Sequence, residues 1–319
     1  MPTVEKGFWP DRSTPIREGK GLVEAMRDAD NPTVSESKTV THGPQEQAAG
    51  RRNSAASGWA HWWEVWERAA QPVSDRLVEL AGVAAGHSVL DLATGLGEPA
   101  ITAARRVGAH GWVIATDCAP DMLREAATRA EAAGLSNIEF REMDAETPDL
   151  QHIAFDSILC RWGFMFVPDL EGSLRRLTAL LKPGGRLAAA AWGMPDEVPV
   201  IYTSASVVAK IAPLPPAPAG ALHPFRLSDP DILIGAMKKA GLGDVSHEEL
   251  RVAFEFASAE DYTRFRRDMT TLDAQLAEHH PPDVIEAAWQ AVTEAARAYG
   301  GNEGRIRFVN TAVCFSGSR

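Results

Sequence analysis

Three carboxylates recur at near-equal distances in the first half of the chain: Asp91, Asp117 and Asp144, separated by 26 and 27 residues. Asp91 opens the run Asp91-Leu92-Ala93-Thr94-Gly95-Leu96-Gly97-Glu98-Pro99-Ala100, in which an apolar stretch turns through glycines into a helical one. Glycine at such a turn lets a ligand approach the backbone closely. Gly95-x-Gly97-x-x-Ala100, with Asp117 20 residues beyond Gly97, also satisfies the dinucleotide-binding fingerprint. Asp91 separates the two readings, because a dinucleotide fold usually has an apolar residue there, close to the diphosphate. A carboxylate suits a cationic ligand instead. The recurrence of an acid at the carboxyl end of three successive strands, the edge where open sheets bind ligands, makes the set specific.

These acids need elements to hold them. From Ser88 to Trp192 short apolar runs alternate with longer amphipathic ones, the pattern of a parallel sheet with crossover helices. The strands read as Ser88–Leu92, Trp112–Thr116, Ile138–Met143, Phe155–Cys160 and Arg186–Trp192. Pro99 and Pro120 stand where a first helical turn tolerates proline, while Gly108, Gly134 and Pro183-Gly184-Gly185 close helices. Upstream, Trp59, Trp62, Trp63 and Trp66 share one helical face, and Pro72 opens a second helical stretch through Leu80. Downstream, the run Pro213 to Pro218 breaks regular structure and Ser228-Asp229-Pro230 begins a helix ending at Gly241. A strand at Glu249–Phe256 follows. Two amphipathic helices come next, one presenting Tyr262, Phe265, Met269, Leu272 and Leu276, the other Val284, Ala288, Trp289, Val292 and Tyr299. A last strand covers Ile306–Phe315.

Between about residues 75 and 193 the chain resembles the class I S-adenosylmethionine-dependent methyltransferases, in particular the branch of the ubiquinone and menaquinone biosynthesis C-methyltransferases (methyltransferase type 11). The residues that carry the resemblance are Val89-Leu90-Asp91-Leu92-Ala93-Thr94-Gly95-Leu96-Gly97, Thr116-Asp117, Met143-Asp144-Ala145-Glu146, Phe155-Asp156 and Leu181-Lys182-Pro183-Gly184-Gly185-Arg186-Leu187. The resemblance implies an α/β fold: a Rossmann-like, seven-stranded, mostly parallel sheet with an antiparallel last strand, plus a helical cap. It implies S-adenosylmethionine as cofactor, with S-adenosylhomocysteine as product and no metal. Ala93, Thr94, Gly95 and Gly97 would wrap the methionine part, Asp117 would accept bonds from the ribose hydroxyls, and Asp144 with the Ala145 amide would read the adenine edge. Cys118 and Met122 would pack near the adenine. Ala93 replaces the first glycine of the family's usual Gly-x-Gly-x-Gly, and Cys118 a larger apolar side chain.

Further candidates surround that core. Arg161-Trp162-Gly163 follows the fourth strand at the ligand-binding edge, and Trp63 could lie over the cofactor, where an indole face attracts a cation. Arg161 and Trp63 are therefore counted with the cofactor. Trp162, Phe164, Met165, Tyr202 and Phe225 are the expected apolar walls for a small acceptor. His223, in His223-Pro224-Phe225-Arg226, lies in the connection between the fifth and sixth strands, and its imidazole could take the acceptor's proton near neutral pH. The alternative for His223 is a bond to backbone. His279-His280 reads as a solvated pair, and His87 and His247 as surface residues.

Composition bounds the rest. A chain of 319 residues with 45% hydrophobic and 24% charged side chains is globular, and its net charge of -11 disfavours nucleic acid as partner. Cys118, Cys160 and Cys314 lie too far apart for a zinc cluster or disulfide framework, which fits a reducing cytoplasm. No stretch reaches the roughly 18 apolar residues of a membrane span. Three segments are expected: a polar arm at 1–57, which could dock on the domain or seam a homodimer; a cofactor-binding core with its tryptophan helix at 58–193; and 194–319, completing the sheet with cap insertions at 194–227 and 258–303. The expected activity is methyl transfer to oxygen, nitrogen, sulfur or carbon of a small, aromatic or apolar acceptor. The alternatives are a non-catalytic cofactor-binding or scaffold protein of this fold and an NAD-dependent oxidoreductase. The latter lacks a Tyr-x-x-x-Lys pair, since Ser206 stands four residues after Tyr202.

Overall fold

The computed structural model describes residues 56–150, 153–218, 220–301 and 304–319; the expected arm, up to residue 55, lies outside the described residues. Helix α1 (Ala56–Leu80) precedes strand β1 (Ser88–Leu92), and α2 (Ala100–Val107), β2 (Trp112–Asp117), α3 (Pro120–Ala132) and β3 (Ile138–Glu142) follow. Next come β4 (Phe155–Arg161), α4 (Leu170–Leu180), β5 (Leu181–Trp192), α5 (Pro199–Ile211), α6 (Pro230–Lys239) and β6 (Gly243–Phe256). Helices α7 (Ala259–Asp268), α8 (Leu272–Ala277) and α9 (Pro282–Ala296) lead to β7 (Ile306–Ser318).

The strands form one seven-stranded sheet in the order β3-β2-β1-β4-β5-β7-β6. Neighbours from β3 to β5 run parallel, and β7 lies antiparallel between β5 and β6. Every residue of β1 is buried, as expected of a central parallel strand covered on both faces. The chain leaves β1 toward β2 on one side and reaches β4 on the other, so the order reverses between β1 and β4. Open α/β sheets bind ligands at the strands' carboxyl ends beside such a switch point.

Some boundaries differ from the sequence reading. Pro72 does not open a second helix but sits inside α1, which continues through it. Burial of Trp66, Ala69, Ala70, Val73 and Leu77 along one face offsets the hydrogen bond that proline removes. The first helix expected after β6 is broken in two, because Thr270 Oγ1 bonds back to the Arg266 carbonyl at 3.2 Å and the chain turns before α8. Tyr299 falls in a short 3-10 turn beyond α9. Strand β6 begins at Gly243, not Glu249, because its polar first half keeps pairing with β7 without the apolar alternation that marks a strand. Buried Asn310 joins the cap to the sheet: its Oδ1 accepts from the Val200 amide at 2.9 Å and its Nδ2 donates to the Val252 carbonyl at 3.3 Å. Among the described residues no helix is long and apolar enough to cross a membrane.

Candidate functional site

The turn after β1 is built from backbone that side chains normally avoid. Ala93, Gly95 and Gly97 have φ of 53°, 57° and 103°. Ala93 therefore occupies the left-handed region at a cost of about 1–2 kcal/mol that glycine would not incur. A Cβ on Gly95 would meet nothing within 4 Å, so the turn is open on that side. The Asp117 carboxylate grips the same turn: Oδ2 accepts from the Gly95 amide at 2.9 Å and Oδ1 from the Ala119 amide at 3.0 Å. Asp144 Oδ1 accepts from the Glu146 amide at 2.8 Å, and the Ala145 carbonyl accepts from Ser173 Oγ at 2.6 Å. Met122 is buried with Leu96 and Ala119 beneath Trp59, and Cys118 beside them is half-buried.

Behind the turn lies a buried group of charges. Asp91 is fully buried; its Oδ2 caps α2 by accepting from the Ala100 amide at 3.0 Å. Its Oδ1, the Thr94 hydroxyl and the Trp162 indole nitrogen are buried with, among the described residues, no partner in full hydrogen-bonding geometry. Burial pushes the Asp91 carboxyl up to about 8, against the opposing influence of the adjacent Thr94 hydroxyl and the Arg161 charge. Glu98 rises to about 7, through burial and the charge of Glu67. Arg161 does not stand free at the end of β4. Its Nη1 donates to Glu67 Oε2 and Ser74 Oγ, both at 2.8 Å, and its Nη2 to Glu67 Oε1 at 2.5 Å. Both Glu67 and Ser74 belong to α1, so this bidentate pair fastens the helix across the sheet's carboxyl edge.

Aromatic side chains pack beside these charges. Trp162, itself at φ 58°, stacks on Trp192 with centroids 4.2 Å apart, and Trp66 meets Trp162 edge-on at 5.5 Å. Trp63 stands apart from this group: it is 36% exposed, and the Arg129 guanidinium lies 4.5 Å over its ring. Phe164 and Met165 are packed into the core, Phe225 is buried and Tyr202 is half-buried. The turn bearing His223 rests on the loop after β4, where Arg226 donates to the carbonyls of Val167 and Pro168. His223 Nδ1 accepts from the Phe225 amide at 3.2 Å, which places the proton of the neutral ring on Nε2. Burial and the Arg226 charge hold its pKa below the ordinary value. Glu67, Ser74, Glu98, Trp59 and Trp192 escaped sequence reasoning.

Residues 89–185 match the methyltransferase domain family. The chain is 39% identical over 117 residues to the aklanonic acid methyltransferase of Streptomyces sp. (strain C5), covering 37% of this chain and 53% of that protein. It is 36% identical over 124 residues to the ubiquinone/menaquinone biosynthesis C-methyltransferase of Methylococcus capsulatus, covering 39% of this chain and 47% of the other. The matched stretch thus spans about half the length of either relative. Among solved structures, the [4+2]-cyclase SpnF superposes with a TM-score of 0.51 over 80% of this chain and 82% of its own at 18% identity, a likeness of fold.

Proposed function

The chain belongs to the class I S-adenosylmethionine-dependent methyltransferases, and from that premise we propose that it methylates a small, largely aromatic or apolar acceptor at oxygen, nitrogen, sulfur or carbon. The observation that carries the placement of the donor is the fully buried Asp91 Oδ1, which has the Thr94 hydroxyl beside it and, among the described residues, no partner in full hydrogen-bonding geometry. A buried polar atom without a partner costs about 1–3 kcal/mol, and a ligand ammonium in reach of both oxygens would remove that cost. The open flank of Gly95 gives a ligand room against the backbone. These residues fit S-adenosylmethionine, whose sulfonium supplies an already activated methyl group.

In this reading Asp91, Ala93, Thr94, Gly95 and Gly97 surround the amino-acid part. Asp117, braced by the Gly95 and Ala119 amides, accepts from the ribose hydroxyls. Asp144 and the Ala145 amide read the adenine, with Cys118, Met122 and Trp59 against its faces and Trp63 at the outer margin. Arg161 is assigned to α1 and not to the donor, because Glu67 and Ser74 hold its guanidinium. Trp162, Tyr202 and Phe225, backed by Phe164 and Met165, exclude water and align the acceptor. His223 stays neutral at pH 7 because its pKa is lowered, so it contacts the acceptor without carrying charge. Aromatic and apolar side chains at this edge would favour a planar or apolar acceptor, and a relative named for quinones agrees with that chemistry.

The test is transfer of an isotopically labelled methyl group from S-adenosylmethionine to a panel of phenols, quinols, aromatic acids, amines and thiols, read by product mass. Labelled products confined to the aromatic members are expected. Transfer only to hydrophilic or macromolecular acceptors would overturn the acceptor class.

A further inference from the structure

Arg161 and Asp91 share one face of the sheet. Asp91 pairs with Leu159 across the parallel β1–β4 junction, and Arg161 stands two residues farther along β4. Side chains alternate between faces along a strand, so Arg161 emerges on the face of Leu159 and Asp91, with the Cα atoms of Arg161 and Asp91 roughly 8 Å apart. An arginine side chain spans that distance. Its charge acts on Asp91 and Glu98, both buried acids. A buried guanidinium facing a buried carboxylate ordinarily closes into a bidentate pair. Arg161 does form one, but with Glu67 on α1, and Ser74 fixes its orientation. Asp91 Oδ1 is left with the adjacent Thr94 hydroxyl beside it and no charged partner, and among the described residues it has no partner in full hydrogen-bonding geometry.

We propose that Glu67 is a positioning residue that draws Arg161 away from Asp91 and so keeps the Asp91 carboxylate available to the cationic amino-acid end of the methyl donor. The assignment rests on the reading of this edge of the sheet as the donor site. Without the charge of Glu67, Arg161 swings to Asp91 and the protein's own cation fills the place of the ligand's. Fastening α1 is then a second effect of the same pair. The two effects are separable, because α1 also lays Trp59 on Leu96, Ala119 and Met122, on the side assigned to the adenine.

The experiment is a calorimetric titration of the full chain with S-adenosylmethionine and with 5′-methylthioadenosine, which keeps the nucleoside and lacks the amino-acid end. Glu67→Gln is expected to weaken S-adenosylmethionine by about tenfold or more while changing 5′-methylthioadenosine less than about twofold. Adding Arg161→Met is expected to bring S-adenosylmethionine back to within about threefold of the wild type, since the competing cation is gone and an apolar side chain is tolerated in place of a buried ion. Equal weakening of both ligands, absence of rescue, or unchanged affinity in Glu67→Gln would overturn the assignment. If Glu67→Gln does not fold by circular dichroism, the double variant decides alone: wild-type affinity sustains the proposal and an about tenfold loss overturns it. Failure of the donor reading itself looks different, because the wild type would then bind neither compound.

Discussion

Glu98 has no part in binding in this account, yet its environment makes a measurable prediction. Its carboxyl is raised to about 7 by burial and by Glu67, so the folded protein holds a proton that the unfolded chain releases at lower pH. A raised folded-state pKa gives stability that is complete below the ordinary carboxylate range and is lost as pH climbs through 7. Between pH 5.5 and 8 the loss from this group is about 2 kcal/mol. Glu98→Gln retains an oxygen for Thr102, whose amide and hydroxyl the carboxylate now accepts at 3.3 and 2.7 Å. Urea denaturation at both pH values should show a flatter dependence in the variant; an unchanged slope would contradict the buried-acid reading. In the ligand-free protein Asp91 contributes in the same direction up to about 8, and a cation bound beside it would favour the ionised form. On the acceptor side, His223→Ala is expected to lower turnover at least about tenfold without changing donor affinity. A near-wild-type rate at pH 7 would confine His223 to holding its turn. The acids at the strand ends were legible because each combines a charge with an apolar run. Glu67 and Glu98 were not, because only the packing of α1 on β4 and α2 brings them to Arg161.

Helix α1 links β4 to β6 and α7. It binds Arg161 through Glu67, β6 through the Arg76–Glu248 pair and α7 through Trp62, whose indole nitrogen donates to Asp268 at 2.8 Å. The tryptophan spacing correctly put four indoles on one face, but each residue advances about 100°, and a face that wide has margins. Trp66 lies at its centre among Trp162, Trp192, Phe254 and Phe265, whereas Trp63 is 36% exposed. Trp66→Ala should cost about 3–5 kcal/mol in urea denaturation. Trp63→Ala should cost under about 1 kcal/mol, since it forfeits a cation-π contact of a one-third exposed ring with Arg129. Equal losses would mean that α1 is rotated from the position described. Pro72 misled the sequence reading because a local rule about proline yields to the burial of a long apolar face on either side of it.

Across the whole chain, the sheet was the most legible feature: buried parallel strands are short, apolar and bounded by glycine and proline, and the motifs lie at their ends. The extent of β6 was less so, because a polar edge strand is held by its ladder with β7 and not by its own pattern. Every residue assigned to the donor lies between Trp59 and Ala145, so a chain lacking residues 1–50 should bind S-adenosylmethionine within about twofold of the full chain. A large loss of donor affinity would place part of the donor site in the removed segment. The central claim is that the turn after β1, braced by Asp117, holds S-adenosylmethionine. Isothermal titration of the wild type and of Asp117→Ala tests it most directly. Micromolar binding by the wild type and a loss of about a hundredfold in the variant are predicted; no binding of S-adenosylmethionine by a folded wild type, or undiminished binding by folded Asp117→Ala, would contradict it.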